Sequence, residues 1–170
     1  VPMTLIDAIL PHRRMIHNIL LVALFTVLVA LSAQAAIPLP FTPVPLTLQT
    51  LTVLLTGAVL GSRLGAVTLL AYLAEGLAGL PVFAGGMNAW SPSSIPGLPV
   101  IMGPTLGYLI GFVFAAALVG FLAERGWDRR LWTTFLAMLL GNLVIYAFGV
   151  GWLSSFLGLT NAIAAGMVPF

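Results

Sequence analysis

The 170-residue chain is 61% hydrophobic and only 6% charged, and its mean hydropathy is +1.15. Charged residues are too few to solvate the surface of a soluble globule of this length, so the composition predicts an all-α integral membrane protein that forms a single transmembrane domain over residues 1–170. There is no Cys, which excludes disulfides and thiol chemistry, and the arginines form no nucleic-acid patch, so we expect the lipid bilayer and no nucleic acid as a partner.

The chain opens with a segment of mixed polarity, residues 1–17, which we expect to lie at the membrane interface. Nearly unbroken apolar sequence then predicts the first membrane-spanning helix at residues 15–36. Along this helix Ala23 and Val27 are spaced by four residues, which suits either helix packing inside the protein or a docking face for another membrane subunit. The proline-rich residues 37–45 cannot continue a helix and predict an extended loop.

Four further helices are predicted, at residues 47–60, 64–80, 104–124 and 131–153. The first of these is short for a hydrocarbon core of about 30 Å, so we expect it to begin below the membrane surface and to leave a recess under the proline-rich loop. In the helix at 104–124, Gly107, Gly111 and Ala115 recur every four residues, which predicts close approach of a neighbouring backbone. The apolar but interrupted residues 154–170 predict a loop or a re-entrant segment.

The arginines all fall on one side of the membrane if the N-terminus is cytoplasmic. The opposite segments, 37–46, 81–103 and 154–170, contain no charged residue. The positive-inside rule therefore predicts a multi-pass topology with a cytoplasmic N-terminus and uncharged loops facing outward. The arginines are Arg13, Arg14, Arg63, Arg125, Arg129 and Arg130.

Several polar residues within predicted helices could contact a ligand. Gln49 opens the second helix, and Asn142 and Tyr146 share one face of the fifth; each can hydrogen-bond a ligand or join one helix to another. Glu75 is an acid inside a predicted span. It is either a carboxylate that faces a ligand or partner, or a protonated or snorkelling group at the membrane boundary.

The long outward loop and the helix after it hold the other candidates. Asn88 follows Gly85 and Gly86, whose small size lets the backbone approach a ligand, so we predict that these three residues contact the ligand. Tyr108, one turn into the fourth helix, and Trp90 in the loop suit either a pocket wall or the interfacial aromatic belt.

The sequence gives no support for catalysis. His12 and His17 do not share a helical face and no further ligand completes a metal set, so we expect neither a metal nor a cofactor. There is no phosphate-binding loop, no Ser-His-Asp set and no pair of carboxylates. We therefore predict that the protein is not an enzyme and that any ATP-derived energy comes from a partner.

Four segments carry a resemblance to a known family: IPLPFTPVPLTLQT at 37–50, GAVLGSRLG at 57–65, GLPVFAGG at 79–86 and GPTLGYLIGF at 103–112. In order and spacing they resemble the BioY family, the biotin-specific S components of energy-coupling-factor (ECF) transporters. The resemblance implies an S-component-like bundle of about six transmembrane helices, five complete in this chain and the sixth apparently missing, with a biotin pocket near the outer face. It further implies the bacterial inner membrane as location and, as partners, an ECF transmembrane coupling protein and two ABC-type ATPase subunits.

The sequence departs from the family pattern at a few positions. The family continues with an Asp and a Lys that bind the ligand, whereas this sequence ends at Phe170. Leu109 stands where some members carry Arg, Asn88 follows the glycine pair one residue later than in the family, and the loop at 89–100 is long. Because the outward segments lack a cation, an anionic ligand would be held there by neutral donors alone.

The sequence therefore predicts a membrane-embedded subunit that captures biotin at the outer face for ATP-driven import. An S component for another vitamin is the nearest alternative, because a fold does not choose its ligand. A non-transporting membrane scaffold would explain the small residues on the helix faces but not the long uncharged outer loops.

Overall fold

The computed structural model describes residues 4–9 and 14–169, so His12, Arg13 and Phe170 lie outside the described residues. Helices make up most of the described chain, and a two-stranded sheet joins the second helix to the third. In chain order the elements are α1 (Leu5–Ile9), α2 (Met15–Gln34), β1 (Ala36–Ile37), β2 (Leu46–Thr47), α3 (Gln49–Leu60), α4 (Ser62–Leu77), α5 (Leu106–Glu124), α6 (Leu131–Leu157) and α7 (Leu159–Gly166).

The central helix of the bundle is α5, which contacts α3, α4 and α6 and is buried on most of its circumference. Its small residues allow this crowding. A Cβ at Gly107 would overlap the backbone of Phe148, and a Cβ at Gly111 would lie 3.1 Å from the Cα of Ile145. The close approach predicted from these glycines is therefore confirmed, and the neighbour is α6.

At one end of the bundle, the turn between α3 and α4 meets the end of α5. Gly61 makes this turn with a φ of 86°, which a residue with a side chain would adopt only under strain. The Glu124 carboxylate accepts hydrogen bonds from the backbone N–H and the hydroxyl of Ser62, at 2.7 and 2.9 Å. Arg63 and Arg125 follow directly in the chain, so this is the charged end of the molecule.

The opposite end holds the uncharged connections. β1 and β2 pair antiparallel, Ala36 opposite Thr47, and so close the proline-rich segment at its base. The connection between α4 and α5 contains 3₁₀ turns at Ala84–Gly86 and Val100–Met102. The two connections touch, because the Ser94 hydroxyl donates to the Pro43 carbonyl at 3.3 Å.

The C-terminal part differs from the prediction. Residues 154–170 were expected to form a loop or re-entrant segment, but α6 continues to Leu157 and α7 follows it. The hydroxyls of Ser154 and Ser155 donate to backbone carbonyls three residues earlier, which lets polar side chains remain within a helix. The break comes instead at Gly158, whose φ is 78°.

Other predicted boundaries shift as well. The helix predicted at 15–36 ends at Gln34 and the one predicted at 47–60 begins at Gln49, because Ala36–Ile37 and Leu46–Thr47 pair as strands. The third predicted helix, 64–80, spans Ser62–Leu77 in the structure. It starts earlier than predicted because Gly61 ends one helix and starts the next without a loop between them. The fourth, 104–124, begins at Leu106, since the residues before it form a turn in which the Leu106 N–H donates to the Gly103 carbonyl.

Three helices of the described part are long and apolar enough to cross a membrane: α2, α5 and α6. The helix α3 is apolar but only 12 residues long. On α2 and α6, large apolar side chains such as Leu24 and Leu143 are about half exposed, as expected of surfaces that face lipid. The chain is a membrane protein.

Candidate ligand-binding site

An open cavity lies at the uncharged end between α3, α5 and α6. The recess predicted beneath the proline-rich loop is present, because this loop and the first turn of α3 form one wall. The lining residues are Val44, Pro45, Thr47, Gln49, Thr50, Phe83, Ala84, Met87, Val100, Thr105, Tyr108, Leu109, Phe112, Ile145 and Tyr146.

The inner wall of the cavity is one face of α5. The residue before this helix, Thr105, and then Tyr108, Leu109 and Phe112 recur at the spacing that puts side chains on one side of a helix. On the outer side, the loop residue Phe83 folds inward and is only 3% exposed. The cavity is therefore mainly apolar, with walls from four separate parts of the chain.

Three hydroxyls of the lining have no hydrogen bond within the described chain. They belong to Thr50 at the start of α3, Thr105 before α5, and Tyr146 on α6. None of the lining residues carries a charge. The cavity can therefore offer a few neutral donors and acceptors to a ligand that is otherwise apolar.

Gln49 joins this cavity to the buried core. Its side-chain amide Nε2 donates to the Tyr72 hydroxyl oxygen at 2.6 Å, and that hydroxyl donates to the Val82 carbonyl at 2.9 Å. Tyr72 is fully buried on α4 and packs edge to face against Phe83, with ring centroids 5.4 Å apart. One chain of hydrogen bonds therefore ties the start of α3, the middle of the bundle and the outer loop together.

Tyr108 has a structural use for its hydroxyl. The hydroxyl donates to the Gly166 carbonyl at 2.8 Å, and the ring lies against Gly149, where any Cβ would overlap it. Tyr108 therefore presents its ring to the cavity and anchors the end of α7 to α5. The pocket-wall reading of Tyr108 is the one that the structure supports.

The loop candidates lie outside this cavity. The Asn88 side chain accepts hydrogen bonds from the N–H groups of Trp90 and Ser91, and its amide donates to the Gly79 carbonyl at 3.0 Å. Trp90 is 63% exposed, and its indole N–H donates to the Leu77 carbonyl. Asn88 and Trp90 thus hold the loop on the end of α4.

The adjacent glycines are exposed and do not line this cavity. Gly85 and Gly86 adopt φ values of 67° and 75° in the turn around the inward-pointing Phe83. They allow that turn, and the cavity is lined here by Ala84 and Met87 instead. Ligand contact by Gly85, Gly86, Asn88 and Trp90 stays a prediction.

Four further candidates lie on helix surfaces away from the cavity lining. Asn142 and Glu75 are partly exposed, and no hydrogen bond or ion pair of either side chain occurs within the described residues. Ala23 and Val27 are exposed on α2. This exposure does not fit helix packing inside the protein for Ala23 and Val27. Docking of a partner there stays a prediction.

Sequence reasoning missed Thr50, Thr105 and Tyr72. Thr105 could have been found, because it lies three residues before Tyr108 and so shares its helical face. Thr50 directly follows the candidate Gln49. Tyr72 gave no signal, since a tyrosine in an apolar helix is compatible with core, lipid interface or site alike.

The mainly apolar lining with a few neutral polar groups suits the binding of a small molecule. Within residues 4–9 and 14–169 no group of His, Asp or Glu is placed to hold a metal ion. The charged groups that the structure describes, such as Glu124, lie at the opposite end from the cavity or on the surface.

Comparison with known proteins agrees with this picture. The model of the BioY family matches residues 6–170. The probable biotin transporter BioY of Pyrococcus horikoshii is 41% identical over 150 residues, which cover 88% of this chain and 82% of that protein. The biotin transporter BioY of Rhizobium etli is 39% identical over 161 residues, covering 89% and 82%.

A solved structure shows the same fold. It is the crystal structure of the S-component for biotin from an ECF-type ABC transporter, with a TM-score of 0.74 and 27% sequence identity over 91% of this chain and 82% of that one. The expected S-component-like helical membrane bundle is therefore confirmed. The chain belongs to the BioY family.

Proposed function

We propose that this protein is the membrane-embedded biotin-binding subunit of a vitamin uptake transporter and that biotin occupies the cavity at its uncharged end. The observation that carries the proposal is the cavity itself, apolar with neutral polar groups, in a chain whose relatives are named biotin transporters.

The chemistry of biotin suits this lining. Its fused sulfur-containing ring and aliphatic side chain would contact walls such as Leu109, Phe112 and Ile145, and its ureido group would exchange hydrogen bonds with neutral side chains. Because no charged residue lines the cavity, the biotin carboxylate is best placed at the open mouth, where water can solvate it.

Equilibrium binding of biotin to the detergent-purified protein tests this proposal. We expect saturable binding that other vitamins do not displace. The variant Ala84→Phe, which adds a ring to the cavity lining, should lose binding, while Ala147→Phe on the exposed side of α6 serves as its matched control. If another vitamin binds in place of biotin, the family fold is retained but the ligand assignment is wrong.

We extend the proposal to energy coupling. The sequence contains no phosphate-binding loop, and its structural relative is the S-component for biotin from an ECF-type ABC transporter, so import would require a transmembrane coupling protein and two ATPase subunits. Biotin uptake by cells that produce the chain alone, compared with cells that also produce these proteins, tests it. Equal ATP-dependent uptake in both would show that import does not require these partners.

Orientation completes the proposal. The cavity end would face outward and the charged end inward, in the cell's inner membrane, with the N-terminus in the cytoplasm. The clustering of arginines at the end opposite the cavity supports this orientation.

A further inference from the structure

The hydrogen bonds around Tyr72 determine which end of the Gln49 amide faces the cavity. A backbone carbonyl can only accept, so the Tyr72 hydroxyl must give its single hydrogen to the Val82 carbonyl. The hydroxyl oxygen is then left as an acceptor, and only the NH₂ group of Gln49 can satisfy it, at 2.6 Å. The two hydrogen bonds of the Tyr72 hydroxyl therefore fix the orientation of the Gln49 amide, although the oxygen and nitrogen of an amide have nearly the same shape.

The amide oxygen of Gln49 consequently remains available to accept a hydrogen bond. Gln49 is 4% exposed and borders the cavity, and its oxygen has no hydrogen bond within the described chain. It is also not sealed off, because among the described residues the only fully buried polar side-chain atom without a partner is the Asn18 Oδ1 at the charged end. Because Gln49 lines the cavity, the cavity is the open space that this oxygen can reach.

We propose that Tyr72 is a positioning residue that makes Gln49 present a hydrogen-bond acceptor to the cavity, so that the site selects a ligand with an N–H donor. Tyr72 does not line the cavity, and it would act only through Gln49. The proposal rests on the proposed function, in which that donor is one of the two ureido N–H groups of biotin.

The test compares biotin with an analogue that is methylated on both ureido nitrogens and so has no donor there. In the wild type we expect biotin to bind more tightly, and the ratio of the two dissociation constants measures selection for the donor. Gln49→Leu removes the acceptor and sets the baseline ratio. Tyr72→Phe should weaken biotin binding by about 2- to 10-fold, the effect of one hydrogen bond, and should bring the ratio down to that baseline.

Thr68→Val is the matched control for Tyr72→Phe. It also removes a buried hydroxyl of α4 that donates to a backbone carbonyl, but Thr68 does not line the cavity and bonds to Leu64 and not to Gln49. A purely structural loss should weaken binding of both ligands equally and keep the wild-type ratio. If Tyr72→Phe keeps that ratio too, Tyr72 does not position Gln49. Failure of the wild type to bind biotin overturns the proposed function and this inference together.

A second measurement applies if Tyr72→Phe does not fold. Gln34 and Gln49 are the glutamines of the chain, so selective ¹⁵N labelling gives few side-chain amide signals to assign. We expect the Gln49 amide proton that is bonded to Tyr72 to exchange slowly with solvent in the wild type before biotin is added. Exchange as fast as that of a free glutamine side chain in water would overturn the inference.

Discussion

Two tyrosines on the cavity wall differ in what their hydroxyls can do for a ligand. Tyr108 donates to Gly166, while Tyr146 has no hydrogen bond within the described chain. The Tyr146 hydroxyl is therefore the one of the two that is available to hydrogen-bond a bound ligand. At the residue scale, a side chain's existing partners decide its role as much as its position does.

Tyr146→Phe should therefore weaken biotin binding while the protein remains folded. The loss of one neutral hydrogen bond, about 0.5–1.5 kcal/mol, corresponds to about a 2- to 10-fold rise in Kd, measured by calorimetry. Asn142→Leu is the control, since Asn142 lies one helical turn away but does not line the cavity. An equal loss in both variants would show that the measured effect comes from α6 as a whole.

Asn88 should matter for binding through the loop that it holds. Its Oδ1 accepts from the N–H groups of Trp90 and Ser91, whereas its Nδ2 makes a single bond to Gly79. Asn88→Ala should therefore loosen the loop and weaken biotin binding, and Asn88→Asp, which keeps the acceptor, should retain most of the affinity. If both variants lose affinity equally, the amide nitrogen matters more than the acceptor, through its bond to Gly79 or through the ligand contact predicted for Asn88.

At the scale of single elements, the packing of α5 on α6 depends on glycines that have no room for a methyl group. Gly107→Ala would press a Cβ into the Phe148 backbone and the Trp152 side chain, and overpacking of this kind costs about 1–3 kcal/mol. We expect a lower unfolding temperature in detergent.

Gly151→Ala on α6 is the matched control for that variant. A Cβ at Gly151 meets no atom within 4 Å, so the same change should be neutral or slightly stabilising, because alanine favours a helix more than glycine does. Equal destabilisation by both variants would mean that helix packing is not what Gly107 contributes.

The sequence predicted the elements better than it predicted the site. Apolar runs and spaced small residues are local signals, so α2, α5 and the contact face of α5 could be read from them. The end of α6 was missed because Ser154 and Ser155 resemble a loop but bond back within the helix. The site needs residues from four distant segments, and no local pattern could show that the Asn88 side chain turns toward its own loop.

The two ends of the helical bundle differ in charge. Glu124, Ser62 and Arg63 lie at one end, and the cavity and its uncharged connections lie at the other. A ligand site and a charged face at opposite ends suit a subunit that takes its ligand from one side and is anchored on the other. The arrangement predicts a definite orientation in the membrane, because arginines remain on the cytoplasmic side.

The absence of native cysteine makes this orientation directly testable. Ser94→Cys, exposed in the outer loop that touches the proline-rich segment, should react with a membrane-impermeant maleimide added to intact cells. Asp128→Cys, exposed between α5 and α6 at the charged end, should react only after the membrane is permeabilised. Each variant is the control for the other, because both thiols are solvent-exposed and differ only in side. The reverse labelling pattern would place the cavity in the cytoplasm and exclude capture of biotin from outside, whatever the affinity of the site.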